Sequence, residues 1–138
     1  MRTVKLLMFA ALLLSVTTYA EVLSESSKDV GFGFREVLRS QTNPPGHWEG
    51  VGHFAFFYYK DKELSQFDSY SISPSGQYAL FQDGPSGKVM LFKPSTGQVI
   101  EVTSKFIALV SGFKWDEPKK SATVLFDGGQ QPIKVTLE

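Results

Sequence analysis

Cysteine is absent from all 138 residues, which excludes disulfide bracing, thiol nucleophiles and lipid attachment through an N-terminal cysteine. Histidine is scarce, with only His47 and His53, so a catalytic base or an imidazole metal site has two positions to draw on. Neither sign of charge is in excess. Fourteen Lys and Arg face 14 Asp and Glu, and the lysines at 60, 62, 88, 93, 105, 114, 119, 120 and 134 are spread among acids. A nucleic-acid partner needs a basic patch that releases counterions, and this chain has none. The dispersed lysines read as solvated charges on strand edges, where they oppose edge-to-edge pairing. Sustained helical periodicity is missing, and no apolar run is long enough to span a bilayer core.

The longest apolar run, Leu6 to Val16, follows Arg2 and Lys5 and leads to Thr18-Tyr19-Ala20, small at the two positions a signal peptidase inspects. That order predicts a secretory signal over residues 1–20, cleaved after Ala20, and a periplasmic protein without a membrane anchor. Cleavage removes two basic residues and no acid, leaving 12 basic against 14 acidic residues. The remaining 21–138 form one β-rich domain, long enough to bury a core unaided by disulfides.

What the chain has is aromatic residues, 14% of the total, and glycine-bearing turns between short apolar runs. The clearest stretch is Asp68 to Thr103. Gln77–Gln82, Lys88–Lys93 and Gln98–Thr103 are β-type runs, separated by Pro74-Ser75-Gly76, Asp83-Gly84-Pro85-Ser86-Gly87 and Pro94-Ser95-Thr96-Gly97. Proline early in a tight connection pre-sets its first dihedral and glycine late in it supplies a positive φ, so these turns define an antiparallel meander. Further strands are expected at Val51–Tyr59, apolar on both faces, and at Leu64–Phe67. Phe106–Val110 and Phe113–Trp115 follow, then a last hairpin of Ser121–Phe126 with Pro132–Leu137. Residues 21–30 read as a loose polar leader, and Phe32–Leu38 as a strand or one helical turn. Any helix is expected within residues 24–42. Thr42-Asn43-Pro44-Pro45-Gly46 is a firm break.

Catalytic patterns are weak. Gly84-Pro85-Ser86-Gly87 lacks the Gly-x-Ser-x-Gly spacing of a nucleophile elbow and sits in a hairpin rather than before a helix. His47-x-Glu49-x-x-x-His53 matches no helical zinc signature, and the Pro-Pro-Gly break beside it opposes the helix such a signature needs. Asp61 with Glu63, or Asp116 with Glu117, can be paired as carboxylates, but adjacent turn acids read as surface charge. No metal and no cofactor are expected, and the chain reads as non-enzymatic. Trp48, Trp115 and Phe56-Phe57-Tyr58-Tyr59 could form a carbohydrate-stacking or peptide-binding face, but the ordinary role of such aromatics in a disulfide-free β domain is core. Trp48, beside a proline-rich loop, is the aromatic residue expected at the surface, where it can contact a partner. The five-residue loop Asp83–Gly87 exceeds a minimal hairpin turn and projects Ser86 at its tip.

Ser73-Pro74-Ser75-Gly76 and Phe92-Lys93-Pro94-Ser95-Thr96-Gly97 make residues 68–103 resemble one blade of a WD-like β-propeller. A complete propeller needs several such blades, which this length excludes. The fold expected is therefore all-β, an antiparallel meander of about eight strands forming a sandwich-like or propeller-fragment-like single domain. Ser75 to Phe81, followed by a Gly/Ser loop and Val89 to Val99, also resembles the periplasmic immunity proteins that protect bacteria from type VI secretion peptidoglycan amidases. That resemblance implies a protein partner, a secreted peptidoglycan hydrolase. It also implies a hairpin loop entering the hydrolase cleft, with Ser86 near the catalytic pair and Gly84 and Gly87 as flexible neighbours. The chain departs from that pattern in having no cysteine. A binding or accessory module for envelope carbohydrate, peptide or a protein complex is the alternative.

Overall fold

The computed structural model describes residues 21–42 and 50–138. The leader expected over 1–20, and His47, Trp48 and Glu49, lie outside the described residues. Ten strands follow in chain order: β1 Val22–Gly31, β2 Phe34–Thr42, β3 Val51–Tyr59, β4 Lys62–Ile72, β5 Ala79–Asp83, β6 Val89–Lys93, β7 Gln98–Glu101, β8 Val110–Asp116, β9 Ser121–Phe126 and β10 Ile133–Thr136. Strands β1 to β7 form one sheet in sequence order, and β10-β9-β8 form a second. Every pairing is antiparallel. β1 and β7 do not pair with each other, so the larger sheet is an open meander and not a barrel.

One irregular strand shapes the fold. β4 pairs with β3 through Lys62–Gln66, then shifts register between Phe67 and Ser69 and pairs with β5 through Ile72. Such a bulge bends and twists its strand, which turns β1–β3 to face the β4–β7 half. Phe57 of β3 meets Tyr70 of β4 at 4.4 Å between ring centroids and Phe81 of β5 at 5.8 Å, while Phe34 of β2 lies 5.3 Å from Phe57. Phe34, Phe57, Ala79, Phe81 and Phe92 make this first core. The opposite face of β5 and β6 carries Leu80, Val89 and Leu91, which pack on Ala122, Val124, Phe126, Val135 and Leu137 of the second sheet and its end. β5 and β6 are thus covered on both faces, which is why Ala79-Leu80-Phe81 and Leu91-Phe92 are unbroken apolar runs. The Trp115 indole N–H of β8 donates to the Ser71 hydroxyl of β4 at 2.8 Å and ties the layers together.

Three local expectations are corrected. Residues 21–30 are not a loose leader but the edge strand β1, pairing with β2 from Val22↔Gln41 to Gly31↔Phe34. Its polar sequence is that of an exposed edge. Phe32 and Gly33 form the two-residue turn, with φ +55° and +87°, the signs of a type I′ hairpin. The segment 24–42 contains no helix. The one helical element among the described residues is a three-residue 3₁₀ turn, Glu117–Lys119, opened by Pro118. The run Phe106–Val110 becomes a strand only at Val110, and Phe106 and Leu109 are both 53% exposed. With β1 and β2 added, the strands number ten where about eight were expected.

Candidate functional site

The loop Asp83–Gly87 joins β5 to β6 and is fixed from within. The Asp83 carboxylate accepts the Ser86 amide at 2.9 Å and the Ser86 hydroxyl at 2.5 Å through one oxygen, and the Ser65 hydroxyl at 2.5 Å through the other. Backbone bonds add to this: Gly84 N–H to Gln66 C=O at 2.6 Å and Gly87 N–H to Asp83 C=O at 2.8 Å. Gly87 is buried at φ +70°, and a Cβ there would come within 2.4 Å of the Phe106 ring. That ring lies over the glycine, so the loop's second glycine is a seat for Phe106 and not a flexible hinge. Pro85 and Ser86 remain exposed at the tip. The site is therefore a pinned loop with a half-exposed aromatic ring beside it.

Beneath the loop, Gln82 is buried and all of its polar atoms are used. Its amide nitrogen donates to the Gly87 carbonyl at 3.0 Å and the Ala108 carbonyl at 2.9 Å, and its oxygen accepts the Val110 N–H at 2.9 Å. Two carbonyls demand the NH₂ group and one N–H demands the oxygen, so the orientation is determined. Gln82 thereby joins the loop to the 103–109 segment that carries Phe106. The buried Thr103 adds a second tie, its hydroxyl accepting the Val89 N–H at 2.9 Å.

Partial burial alone would raise the Asp83 carboxyl. The Ser65 and Ser86 hydroxyls, the Ser86 amide and nearby Lys88 together outweigh it and hold the carboxyl below the usual aspartate range. A depressed carboxyl contributes its stabilisation above the ordinary aspartate pKa and loses it as the pH falls through the lower, folded value. The Ser86 amide resonance is therefore expected to titrate with a midpoint below that of an unperturbed aspartate, and Asp83→Asn should abolish that titration. A midpoint at or above the unperturbed value, followed by NMR, would show that the carboxylate does not hold the loop.

The other sequence candidates are dispersed. Phe57 and Tyr59 turn into the first core. Phe56 and Tyr58 face the other way, where the Arg39 guanidinium lies 4.4 Å from the Phe56 centroid and the Arg35 guanidinium 4.7 Å from the Tyr58 centroid. Arg39 also pairs with Glu25 at 3.1 Å and Glu63 at 2.9 Å, so Glu63 is not poised opposite Asp61 as a catalytic acid. Burial pushes the Tyr58 phenol up, reinforced by its bond to Glu63. Glu117 accepts the Ser75 hydroxyl and amide, which hold its carboxyl low. Trp115 is a half-buried core residue.

Two features escaped the sequence reading. Phe106 belongs to the loop surface, although it lies 19 residues from Gly87. His53 Nδ1 meets the Ser40 hydroxyl at 2.7 Å across β2 and β3, in an open depression of about 370 Å³ lined also by Ser24, Leu38 and Phe54. The alternation of β2 against β3 is the signal that would have paired them. Among the described residues no three His, Cys, Asp or Glu side chains gather to hold a metal ion, and no helix is long and apolar enough to cross a membrane.

No protein-family profile matches the chain, and the search of curated proteins returns no match. Among solved structures, the chain is similar to the Pyrococcus horikoshii acylaminoacyl peptidase in its orthorhombic crystal form, at 11% sequence identity and a TM-score of 0.44. The similarity covers 79% of this chain and 17% of that one.

Proposed function

We propose that the protein is a non-enzymatic periplasmic inhibitor, an immunity protein that occludes an amidase-type cell-wall hydrolase with its Asp83–Gly87 loop. One observation carries the reading: the loop is braced by hydrogen bonds to Asp83 on its inner side and packed under Phe106 at Gly87. Pre-organised loops lose little entropy on binding, so a small inserted tip can be tight without any reacting group. Exposed Pro85, Ser86 and Phe106 offer the partner a wedge beside an aromatic anchor, the side-chain class favoured at interface centres. Strands β4–β7 serve in this reading as one WD-like blade that supports the loop.

The second reading is a binding or accessory module that uses a surface near Trp48. It is favoured by Val22, Leu23 and Val51, each about half exposed on β1 and β3 at the end leading into residues 43–49, and by half-exposed Leu38 in the middle of β2.

The test is peptidoglycan turnover by a secreted amidase-type hydrolase, with the mature protein titrated in. Turnover suppressed at a one-to-one ratio supports the inhibitor. Full turnover at a large excess contradicts it and favours the accessory module.

A further inference from the structure

At the end of the sheets opposite the Asp83–Gly87 loop, an open cleft of about 630 Å³ lies between the larger sheet and the end of the second. Its walls are the Gly76–Tyr78 turn, the Lys93–Thr96 turn, Lys120, and Leu137 with Glu138. That volume suits a small organic molecule. Tyr78 and Pro94, both half-buried, give the cleft apolar surface, while Lys93 and Lys120 contribute two positive charges against the Glu138 carboxylate.

Both lysines are held at the backbone. The Lys93 carbonyl accepts the Gly97 amide at 2.8 Å and the Thr96 amide at 3.2 Å. Lys120 adopts φ +50° at the end of the 3₁₀ turn, a conformation in which glycine would be unstrained. Its amide donates to Glu117 C=O at 2.8 Å and its carbonyl accepts Leu137 N–H at 2.9 Å. This backbone conformation sets Lys120 at the wall of the cleft. What the Lys120 ammonium meets is a carboxylate, the Glu138 side chain at 3.2 Å. Both partners of that pair are about two-thirds exposed, so the contact is weak and exchangeable.

We infer that this cleft binds a small ligand bearing a carboxylate on an apolar body. The carboxylate displaces Glu138 from Lys120 and is shared with Lys93, and the body lies against Tyr78 and Pro94. Glu138 is then an internal competitor.

Benzoate is a suitable probe, with benzamide as its uncharged analogue and inorganic phosphate as an anion without the body. In NMR titrations of the mature protein, benzoate should shift the Gly76, Gln77, Thr96 and Lys120 amides saturably, and neither control should do so. Glu138→Gln should tighten benzoate, and Lys120→Gln or Lys93→Gln should weaken it, by up to about fivefold each, the range of an exposed ion pair. Thermal melts confirm that the variants are folded. Absence of saturable shifts, equal binding of benzamide or phosphate, or a Glu138→Gln affinity equal to wild type would overturn the inference.

Discussion

Gln82→Leu is expected to destabilise the protein by about 3 kcal/mol, although leucine fills nearly the same volume. The side chain is 1% exposed and makes three hydrogen bonds to main-chain groups at 2.9–3.0 Å. Leucine leaves the Gly87 and Ala108 carbonyls and the Val110 N–H without partners, and an unsatisfied buried polar group costs roughly 1–3 kcal/mol. The gain from burying apolar leucine offsets part of that sum. Against a total stability of about 5–15 kcal/mol for a domain of this kind, the loss is large. It corresponds to a fall in melting temperature of roughly 10 °C.

The loss should also be localised in a way that a cavity mutation would not be. Gln82 is the common anchor of the Asp83–Gly87 loop and the 103–109 segment, so amide hydrogen exchange should accelerate in both together, and by more than the global loss that the core amides of β9 and β10 report. A change below about 0.5 kcal/mol, the range of an inconsequential surface substitution, would show that the glutamine network does not hold the loop.

Much of the meander was legible because its turns announce themselves. Gly76 and Gly97 have φ of +76° and +71°, at the places where the sequence put the closing residue of each connection. Strands β5 and β6 were legible for a different reason: with a core on each face, their sequences are apolar at successive positions. β1 was not, because an edge strand with mostly exposed residues carries no alternation, and its pairing is specified by β2 rather than by its own residues. The 3₁₀ turn at Glu117–Lys119 is too short for any periodicity to show.

The candidate site divides in the same way. Its boundaries, from Asp83 to Gly87, follow from turn chemistry. Its rigidity does not, since the Asp83–Ser65 bond, the Gly84–Gln66 bond and the Phe106 ring over Gly87 join residues 18 or more positions apart. Such contacts depend on the bulge in β4 and on the path of residues 103–109, neither of which leaves a local pattern. Ser86 was expected at the tip and is exposed there, but its hydroxyl is already given to Asp83. In the proposed interface its part would therefore be steric, with Phe106 supplying the larger contact.

That division of roles leads to the second large effect, on binding. If the loop tip enters a cleft as proposed, Ser86→Trp places a ring in its way and Phe106→Ala removes the neighbouring anchor. Each should weaken binding to the hydrolase by about 2 kcal/mol or more, the scale of a central interface residue, which is roughly thirtyfold in Kd. Phe106 is half exposed, so its removal should change the stability of the free protein by no more than about 1 kcal/mol. Ser86→Trp also removes the hydroxyl bond to Asp83, worth about 1 kcal/mol, which a melt of the free variant measures separately.

The most direct test of the central claim is a calorimetric titration of a secreted amidase-type peptidoglycan hydrolase with wild type and with Ser86→Trp, both confirmed as folded. If the pinned loop is the inhibitory element, wild type binds one-to-one and the variant binds roughly thirtyfold more weakly or not at all. Equal affinities would take the loop out of the mechanism and shift the contact to the β1–β3 surface.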